Sequence, residues 1–251
     1  MKTDLNGKVA LVNGGSRGIG EAIAHGLADC GATVILSSRS LEGVQKVADD
    51  ITAKGGTAIA KVCHAGKLDD IEALMSAIGA EFGRLDILIN NAATNPHSGP
   101  AATLPPEAFD KTVDVNLKGP YYMMGGAVPL MLKNGSGAVV NVASIAGLVA
   151  LPGQAVYSMT KAGLISLTKA YAKEYGQAGI RVNAILPGVV ETKFAEALTE
   201  DPSVQKWMGR IPAKRAGQPV DMVAGVLYLV SDEAAYTTGT TLVMDGGAML
   251  M

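Results

Sequence analysis

The chain has 251 residues, of which 48% are hydrophobic and 18% are charged, and its formal net charge is −2. This composition supplies a large apolar core and excludes an intrinsically disordered chain, and the lack of a basic excess argues against a nucleic-acid partner. The length fits one α/β domain over residues 1–251.

The cysteines and the first residues indicate the cellular setting. Cys30 and Cys63 lie in apolar stretches and are expected to be reduced thiols, without a disulfide or a metal site. The segment Met1–Val12 has no apolar run of signal-peptide length. The apolar stretch Gly137–Val156 contains polar residues, a proline and glycines, which fit a strand and a loop better than a membrane span. We therefore expect a cytoplasmic protein with no membrane partner and no metal.

Short β-branched apolar runs alternate along the chain with longer stretches of helical period. The predicted strands are Val9–Val12, Thr33–Leu36, Thr57–Val62, Leu85–Ile89, Ala138–Val142, Arg181–Leu186 and Thr241–Met244. The predicted helices are Gly18–Cys30, Leu41–Lys54, Asp69–Phe82, Gly119–Lys133, Ala155–Tyr175 and Val220–Val230. Apolar strands separated by helices predict a single-domain, Rossmann-like α/β fold, a doubly wound parallel sheet of about seven strands with helices on both faces.

One segment breaks the alternation. Residues Pro187 to Pro219 are irregular, and Pro202, Gly209 and Pro212 interrupt them. A long excursion beside the ligand crevice predicts a substrate lid at about residues 188–215, with an ordinary surface insertion as the alternative.

A glycine-rich turn follows the first predicted strand. Gly14, Gly18 and Gly20 allow a tight turn and a close backbone approach to a pyrophosphate, whose charge suits the N-terminus of the next helix. Such a turn is a weak signal alone, but its position in a βαβ unit predicts a dinucleotide site.

The end of the second predicted strand bears on the nucleotide. A free ribose 2′-hydroxyl favours an acidic residue there, whereas this chain has Ser38 and Arg39. These two groups and Arg17 can hold a 2′-phosphate by charge-assisted hydrogen bonds. The pattern favours NADP(H), with NAD(H) possible; the alternative is that both arginines are solvated surface charges.

Tyr157 and Lys161 lie four residues apart and share one face of a predicted helix. A nearby cation favours phenolate and is expected to lower the tyrosine pKa, so that Tyr157 can protonate a carbonyl oxygen as hydride arrives. Ser144 follows a predicted strand, where its hydroxyl can hold the substrate oxygen. Asn116 can anchor a water or a backbone carbonyl near Lys161. Each of these residues alone is as well explained by an ordinary structural role.

Together the motifs resemble the short-chain dehydrogenase/reductase family over nearly the whole chain. The matching motifs are Asn13-Gly14-x3-Gly18-x-Gly20, Asn90-Asn91-Ala92-Ala93, the tetrad Asn116, Ser144, Tyr157 and Lys161, Arg181-Val182-Asn183, Pro187-Gly188 with Thr192, and Asp245-Gly246-Gly247. The resemblance implies that Tyr157 is the acid/base, Ser144 orients the carbonyl, Lys161 binds the nicotinamide ribose and Asn116 supports a proton relay.

The resemblance also implies a set of cofactor contacts. Asn91 and Ala92 are expected at the adenosine-side ribose, and Pro187, Val190 and Thr192 beside the nicotinamide amide. The full expected set is Gly14, Ser16, Arg17, Gly18, Ile19, Gly20, Ser38, Arg39, His64, Ala65, Asn91, Ala92, Tyr157, Lys161, Pro187, Val190 and Thr192.

The chain departs from the family pattern at three positions. Asn13 replaces a threonine, and its amide can still bond to the neighbouring strand turn. Ala93 replaces a glycine, and His64 stands where an acidic residue usually lies near the adenine. His64 is expected either to contact the adenine or to be structural.

The segments 62–67 and 91–96 resemble a carbonyl-reductase branch that includes peroxisomal NADP-dependent retinal reductases, although the chain ends Ala248-Met249-Leu250-Met251 without a peroxisomal signal. The branch therefore suggests a reaction and not a location. We expect a medium-sized ketone, aldehyde or alcohol as substrate, in a pocket shaped by residues 94–97, 148–154 and 188–210. Five residues make that pocket look apolar: Leu151, Phe194, Leu198, Trp207 and Met208.

Three alternatives stay open within this interpretation. A 3-oxoacyl-[acyl-carrier-protein] reductase needs basic residues beside the pocket, for which Lys133, Lys169 and Lys173 are available. An enoyl reductase of this superfamily has six residues between tyrosine and lysine, which here falls on Leu164 and disfavours that reaction. A catalytically silent dinucleotide sensor or scaffold is disfavoured by the complete tetrad.

Family resemblance further implies a homotetramer, which the apolar tail Thr241–Met251 suits.

Overall fold

Seven parallel strands form one sheet in the computed structural model, which describes residues 3–97, 99–196 and 202–251. The strands are β1 Val9–Asn13, β2 Thr33–Ser38, β3 Thr57–Val62, β4 Ile87–Asn90, β5 Gly137–Val142, β6 Ile180–Pro187 and β7 Thr241–Met244. Their order across the sheet is β3-β2-β1-β4-β5-β6-β7, and every neighbouring pair is parallel. The predicted fold class is therefore confirmed. The order reverses between β1 and β4, which is where doubly wound sheets bind their ligands.

Helices connect the strands and cover both faces of the sheet. Those in the described residues are α1 Gly18–Asp29, α2 Leu41–Ala53, α3 Leu68–Phe82, α4 Pro106–Val113, α5 Gly119–Asn134, α6 Ala155–Tyr175, α7 Pro202–Met208 and α8 Val223–Val230. The longest of them, α6, carries lysines and threonines. No described helix combines the length and the apolar content of a membrane span.

The alternation of side chains along each strand divides the core into two layers. On β1, Ala10 and Val12 pack in a cluster with apolar residues of α1 and α2. Val9 and Leu11 point to the other face and pack with α3 and α5. A strand with both faces buried needs apolar residues at successive positions, which is why β1 is a continuous apolar run.

Several predicted boundaries were wrong by a few residues. Predicted strand Leu85–Ile89 begins as β4 at Ile87 and extends to Asn90, and the Asp86 carboxylate just before it accepts the Val9 N–H at 2.8 Å. The predicted helix Val220–Val230 begins as a 3-10 turn over Pro219–Met222 before α8. The short helices α4 and α7 were not predicted.

Candidate active site

Lys161 lies one turn after Tyr157 on α6, and both residues face the end of β5. The Lys161 side chain is 2% exposed. Its Nζ donates a hydrogen bond of 2.7 Å to the Val142 carbonyl oxygen at the last residue of β5. The same Nζ lies 5.6 Å from the centroid of the Tyr157 ring. The helical spacing therefore brings the predicted pair together, and the strand end fixes the lysine.

Ser144 reaches the same point from the turn after β5. It caps the 3-10 turn Ile145–Gly147, where its Oγ accepts the Ala146 N–H at 3.1 Å. Its hydroxyl also interacts with the Tyr157 side chain, an interaction that favours the phenolate. A serine, a tyrosine and a lysine thus meet at the carboxyl end of β5.

Burial sets the electrostatics of this cluster. It raises the pKa of Tyr157 to about 12, although the interaction with Ser144 acts in the opposite direction. It lowers the pKa of Lys161 to about 7. The expectation that Lys161 lowers the tyrosine pKa is not met in this structure, because desolvation of both groups dominates.

Asn116 is buried in the π-helical turn Asp114–Lys118 between α4 and α5. Its Oδ1 accepts the Thr94 N–H at 2.8 Å, and its Nδ2 donates to the Thr94 carbonyl oxygen at 2.9 Å. The Nδ2 also donates to Thr160 Oγ1 on α6 at 3.3 Å. Asn116 was predicted to anchor a water or a carbonyl near Lys161, and the carbonyl that it anchors belongs to the loop after β4.

The glycine turn after β1 has no room for side chains. Gly14 has a φ of +86°, and a Cβ added there would lie 2.6 Å from the Ala92 nitrogen. A Cβ on Gly20 would lie 2.2 Å from the Gly14 carbonyl oxygen. The turn therefore requires glycine at both positions, as a cradle for a pyrophosphate does.

The first turn of α1 is suited to an anion. Arg17 occupies the N-cap position, but its side chain does not cap the helix. The first N–H groups of a helix have no partner within the helix and carry partial positive charge. Ile19 packs on the core behind this turn, and Ser16 lies against Gly43 of α2. These residues fit the phosphates of a dinucleotide.

Asn91 and Ala92 support the glycine turn directly. The Asn91 Nδ2 donates to the Gly14 carbonyl oxygen at 2.8 Å, and the Ala92 N–H donates to the Asn13 carbonyl oxygen at 2.8 Å. Both were expected at the adenosine-side ribose, and they lie at the same crevice. Asn13 holds the next strand, since its Oδ1 accepts the Ser37 hydroxyl at 3.3 Å.

Arg39 directly follows β2, and Arg17 lies in the glycine turn before α1. Arg17 and Arg39 are exposed, and neither forms an ion pair with a carboxylate of the described residues. Ser38 was predicted to hydrogen-bond to a 2′-phosphate. In this structure its hydroxyl donates instead to the Ser40 carbonyl oxygen at 2.8 Å. Arg17 and Arg39 therefore remain as the charged groups that can bind a 2′-phosphate.

His64 and Ala65 follow β3. The His64 Nδ1 accepts the Gly66 N–H at 3.1 Å, and the backbone N–H of His64 donates to Asp70 Oδ2 at 2.9 Å. The imidazole is therefore held by its loop, with Nε2 as its remaining polar atom. Ala65 is buried.

The segment after β6 reaches back over the glycine turn. A Cβ on Gly18 would lie 3.1 Å from Thr192 Cγ2, so Thr192 lies directly against that turn. Val190 is buried and pairs with Gly217 in a short parallel bridge, three residues beyond Pro187. The Phe194 ring lies 6.0 Å from the Tyr157 ring. Leu198, predicted to line the pocket, lies outside the described residues.

A polar chain beneath the site was missed. Asn90 Nδ2 donates to Asn141 Oδ1 at 2.9 Å, and Asn141 Nδ2 donates to Thr168 Oγ1 at 2.9 Å. All three residues are buried. The available signal was an asparagine within each of two apolar strands.

Over the described residues, no three His, Cys, Asp or Glu side chains are grouped to hold a metal ion.

Known proteins resemble this chain over its whole length. The family model described as enoyl-(acyl carrier protein) reductase matches residues 14–249. "Dehydrogenase/reductase SDR family member 4" of Bos taurus is 38% identical over 99% of this chain and 89% of the relative. "3-oxoacyl-[acyl-carrier-protein] reductase FabG" of Staphylococcus aureus is 39% identical over 96% of this chain and 97% of the relative.

A solved structure extends the likeness to the fold. The gluconate 5-dehydrogenase of Burkholderia cenocepacia, in complex with NADP and tartrate, is 30% identical, with a TM-score of 0.95 over 100% of this chain and 98% of that one. The chain belongs to the short-chain dehydrogenase/reductase family, whose members use NAD(P), and is a dehydrogenase/reductase that acts on CH–OH and C=O groups.

Proposed function

We propose that this protein is an NADP(H)-dependent carbonyl reductase that transfers a hydride between the nicotinamide and a ketone, an aldehyde or a secondary alcohol. The observation that carries the proposal is the cluster of Ser144, Tyr157 and Lys161 at the end of β5. It lies on the edge of the sheet where the glycine turn after β1 opens. Residues 1–251 are proposed to act as one domain, with residues 188–215 as the substrate lid.

Four residues of the chain have separate roles in substrate binding and proton transfer. A bound nicotinamide supplies or accepts the hydride. Ser144 holds the substrate oxygen, and Tyr157 gives that oxygen its proton in reduction or removes the proton in oxidation. Lys161 binds the nicotinamide ribose, and in its ammonium form it stabilises the phenolate that Tyr157 becomes. Asn116 fixes the loop at Thr94 and supports the relay that returns the proton.

NADP(H) is the proposed cofactor because of the charge at the end of β2. Arg39, directly after β2, and Arg17, before α1, are exposed without an acidic partner in the described part of the chain. An arginine pair can bind a 2′-phosphate bidentately, whereas a ribose with a free 2′-hydroxyl gains little from it. Cellular NADP(H) chemistry favours reduction, so carbonyl reduction is the proposed direction.

A 3-oxoacyl-[acyl-carrier-protein] reductase is the second candidate, favoured by the 39% identity to FabG. Its carrier protein is acidic and needs a basic surface beside the pocket. Lys169 and Lys173 are exposed, but they lie twelve and sixteen residues beyond Tyr157, about 18 and 24 Å along α6. Lys133 is near the end of α5, at the opposite edge of the sheet from Tyr157. This arrangement argues against the carrier-protein substrate.

Enoyl reduction and a silent role are less well supported. With six residues between the tyrosine and the lysine, an enoyl reductase needs its lysine at position 164, which here is Leu164, 1% exposed in the apolar core. A silent sensor does not need the complete cluster of Ser144, Tyr157 and Lys161.

The proposal includes a homotetramer and a cytoplasmic location. Val243 on β7, Tyr236, Leu250 and Met251 are exposed apolar side chains, which a subunit contact would cover. Cys30 and Cys63 form no disulfide within the described residues, which fits a reducing compartment. Light scattering on a size-exclusion column measures the oligomeric state directly.

The first test is a titration of the purified protein with NADPH and with NADH, followed by nicotinamide fluorescence. A panel of ketones, aldehydes and a 3-oxoacyl thioester is then added while absorbance at the reduced nicotinamide is recorded. Tighter NADPH binding with ketone-dependent oxidation supports the proposal. Binding without turnover of any panel member contradicts it and favours the silent role, and turnover of the thioester alone favours the second candidate.

A further inference from the structure

A small cavity lies between the loop after β4 and the first turn of α6. Its polar lining comes from Asn95, His97, Thr112 and Gln154, and its volume is about 10 Å³. A single water molecule needs about this much space. The cavity therefore accommodates one oxygen-sized polar group.

The side chains around the cavity have uncommitted hydrogen-bonding atoms. His97 Nε2 is buried and has no hydrogen-bond partner in the described part of the chain. Gln154 is 8% exposed, and its side chain forms no hydrogen bond with another described residue, although Gln154 is the N-cap residue of α6. Buried polar groups in native proteins are nearly always paired, so the imidazole nitrogen left open at this cavity indicates a missing partner.

The cavity is joined to the catalytic cluster through the backbone. Ala155 and Val156 line it, and Tyr157 is the next residue of α6. The Gly99 N–H donates to the Gly153 carbonyl oxygen at 3.3 Å, which ties the loop after β4 to the segment that leads into α6. The lining residues therefore adjoin Tyr157 along the first turn of α6.

The chemistry of the lining selects the partner. A neutral imidazole nitrogen and an amide can each pair with a hydroxyl, which both donates and accepts. Apolar groups would leave Nε2 unpaired, and a carboxylate has two oxygens, more than this volume holds. The lining therefore fits a single hydroxyl.

We propose that this cavity is a substrate subsite for one hydroxyl group, bound by His97 Nε2 with Gln154 and Asn95, so that the preferred substrates are hydroxy-substituted ketones or aldehydes. The inference rests on the proposed carbonyl reduction and names its substrate class. It differs from the expectation of an apolar pocket, because the polar lining lies next to the first turn of α6.

The kinetic test compares the reduction of 2-pentanone by NADPH with the reduction of four hydroxyketones. Each of these is 2-pentanone with one hydroxyl group, on carbon 1, 3, 4 or 5. The wild-type enzyme is expected to prefer at least one hydroxyketone over 2-pentanone in kcat/KM by about 10-fold or more, the factor that 1.4 kcal/mol represents. His97→Phe is expected to remove that preference while 2-pentanone is still reduced. His25→Phe, on α1 away from the cavity, is the matched control.

A second variant fills the cavity and keeps the imidazole. An alanine methyl at Gly99 would lie 3.1 Å from His97 Nε2. Gly99→Ala should therefore also remove the preference for the hydroxyl. Gly176→Ala is its control, because nothing lies within 4 Å of the added methyl.

A binding measurement separates this inference from the proposed reaction. The chain has three histidines, so the His97 ring signals of ¹⁵N-histidine-labelled protein are assigned from the His97→Phe variant. Titration of the NADP⁺-loaded protein, which cannot reduce the ketone, with the preferred hydroxyketone should shift the His97 Nε2 signal, and 2-pentanone should not shift it.

Three results would overturn the subsite. These are a wild-type enzyme that prefers none of the hydroxyketones, a preference that persists in His97→Phe, and a His97 signal that no hydroxyketone shifts. Equal loss of activity toward all the ketones in His97→Phe would also overturn it, since that result assigns the cavity to a structural water.

Discussion

The amide of Asn116 closes a ring of two hydrogen bonds with the backbone of Thr94, accepting its N–H at 2.8 Å and donating to its carbonyl at 2.9 Å. The π-helical turn before α5 and the loop after β4 are therefore fixed to each other. That loop leads directly to the wall of the substrate site, and Asn116 also bonds to Thr160 on α6. One side chain thus couples three segments around Tyr157.

Replacing Asn116 by alanine should disturb this geometry. We expect Asn116→Ala to lower the free energy of unfolding by about 1–3 kcal/mol, because the Thr94 backbone groups lose their partner. It should also lower kcat/KM by about 10-fold or more, because the relay is misplaced. Urea unfolding and steady-state kinetics measure the two effects.

The matched control is Asn134→Ala. The Asn134 Nδ2 donates to the Leu85 carbonyl oxygen at 3.2 Å, before β4 at the opposite edge of the sheet. Its loss should reduce stability without reducing kcat/KM. An equal loss of activity in both variants would assign Asn116 a purely structural role.

A methyl group in the glycine turn should block the cofactor. In Gly20→Ala the Cβ would lie 2.2 Å from the Gly14 carbonyl oxygen, so the turn must shift. We expect the Kd for NADPH to rise by about 10-fold or more, since overpacking costs about 1–3 kcal/mol. Fluorescence titration measures the Kd. Gly176→Ala adds a methyl that meets nothing within 4 Å and should bind NADPH as the wild type does; equal affinity in Gly20→Ala would refute the cradle.

Charge reversal at Arg39 should change cofactor preference. Arg39→Asp removes a cation from the end of β2 and places a carboxylate where a ribose hydroxyl can bond. We expect kcat/KM with NADPH to fall by about 10- to 100-fold, the loss of one charge-assisted hydrogen bond, and activity with NADH to hold or rise. Lys133→Asp, an exposed charge reversal at the end of α5, is the control. An unchanged cofactor ratio in Arg39→Asp would mean that Arg39 is a solvated surface charge.

The lowered pKa of Lys161 predicts how stability depends on pH. The folded-state pKa is about 7, below the ordinary value of 10.5, so the unfolded chain binds more protons between these values. Folding stability contributed by this group therefore rises with pH across that window and is lost as pH falls. Relative to Lys161→Met, the wild type should gain about 1.4 kcal/mol per pH unit at most between pH 7.5 and 9.5.

Urea titrations of both proteins at one protein concentration measure this difference. Other titrating groups, such as Cys63, are present in both and cancel. A difference that does not change with pH would show that Lys161 keeps its ordinary pKa in the folded protein.

The sequence allowed the sheet and the general position of the site to be predicted, for physical reasons. Strands with both faces buried are continuous apolar runs, as β1 is, and a glycine turn after the first strand has few other uses. Tyr157 and Lys161 lie on one face because of helical spacing alone. These features depend on local periodicity, which a sequence displays.

Features that depend on tertiary contact could not be predicted in the same way. The spacing does not show that the Lys161 ammonium is directed to the Val142 carbonyl, or that burial raises the pKa of Tyr157. The side chain of Asn91 bonds to Gly14 only because two strand ends meet at the crevice. The short helix α4 begins at a proline and has too few turns for a periodic signal.

The central claim is that Tyr157 donates the proton that completes carbonyl reduction. Its most direct test is a single-turnover measurement of ketone-dependent NADPH oxidation by the wild type and Tyr157→Phe, with the exposed Tyr236→Phe as control. We expect the rate in Tyr157→Phe to fall by about 100-fold or more, with the Kd for NADPH unchanged and Tyr236→Phe fully active. Reduction at the wild-type rate by Tyr157→Phe would contradict the claim.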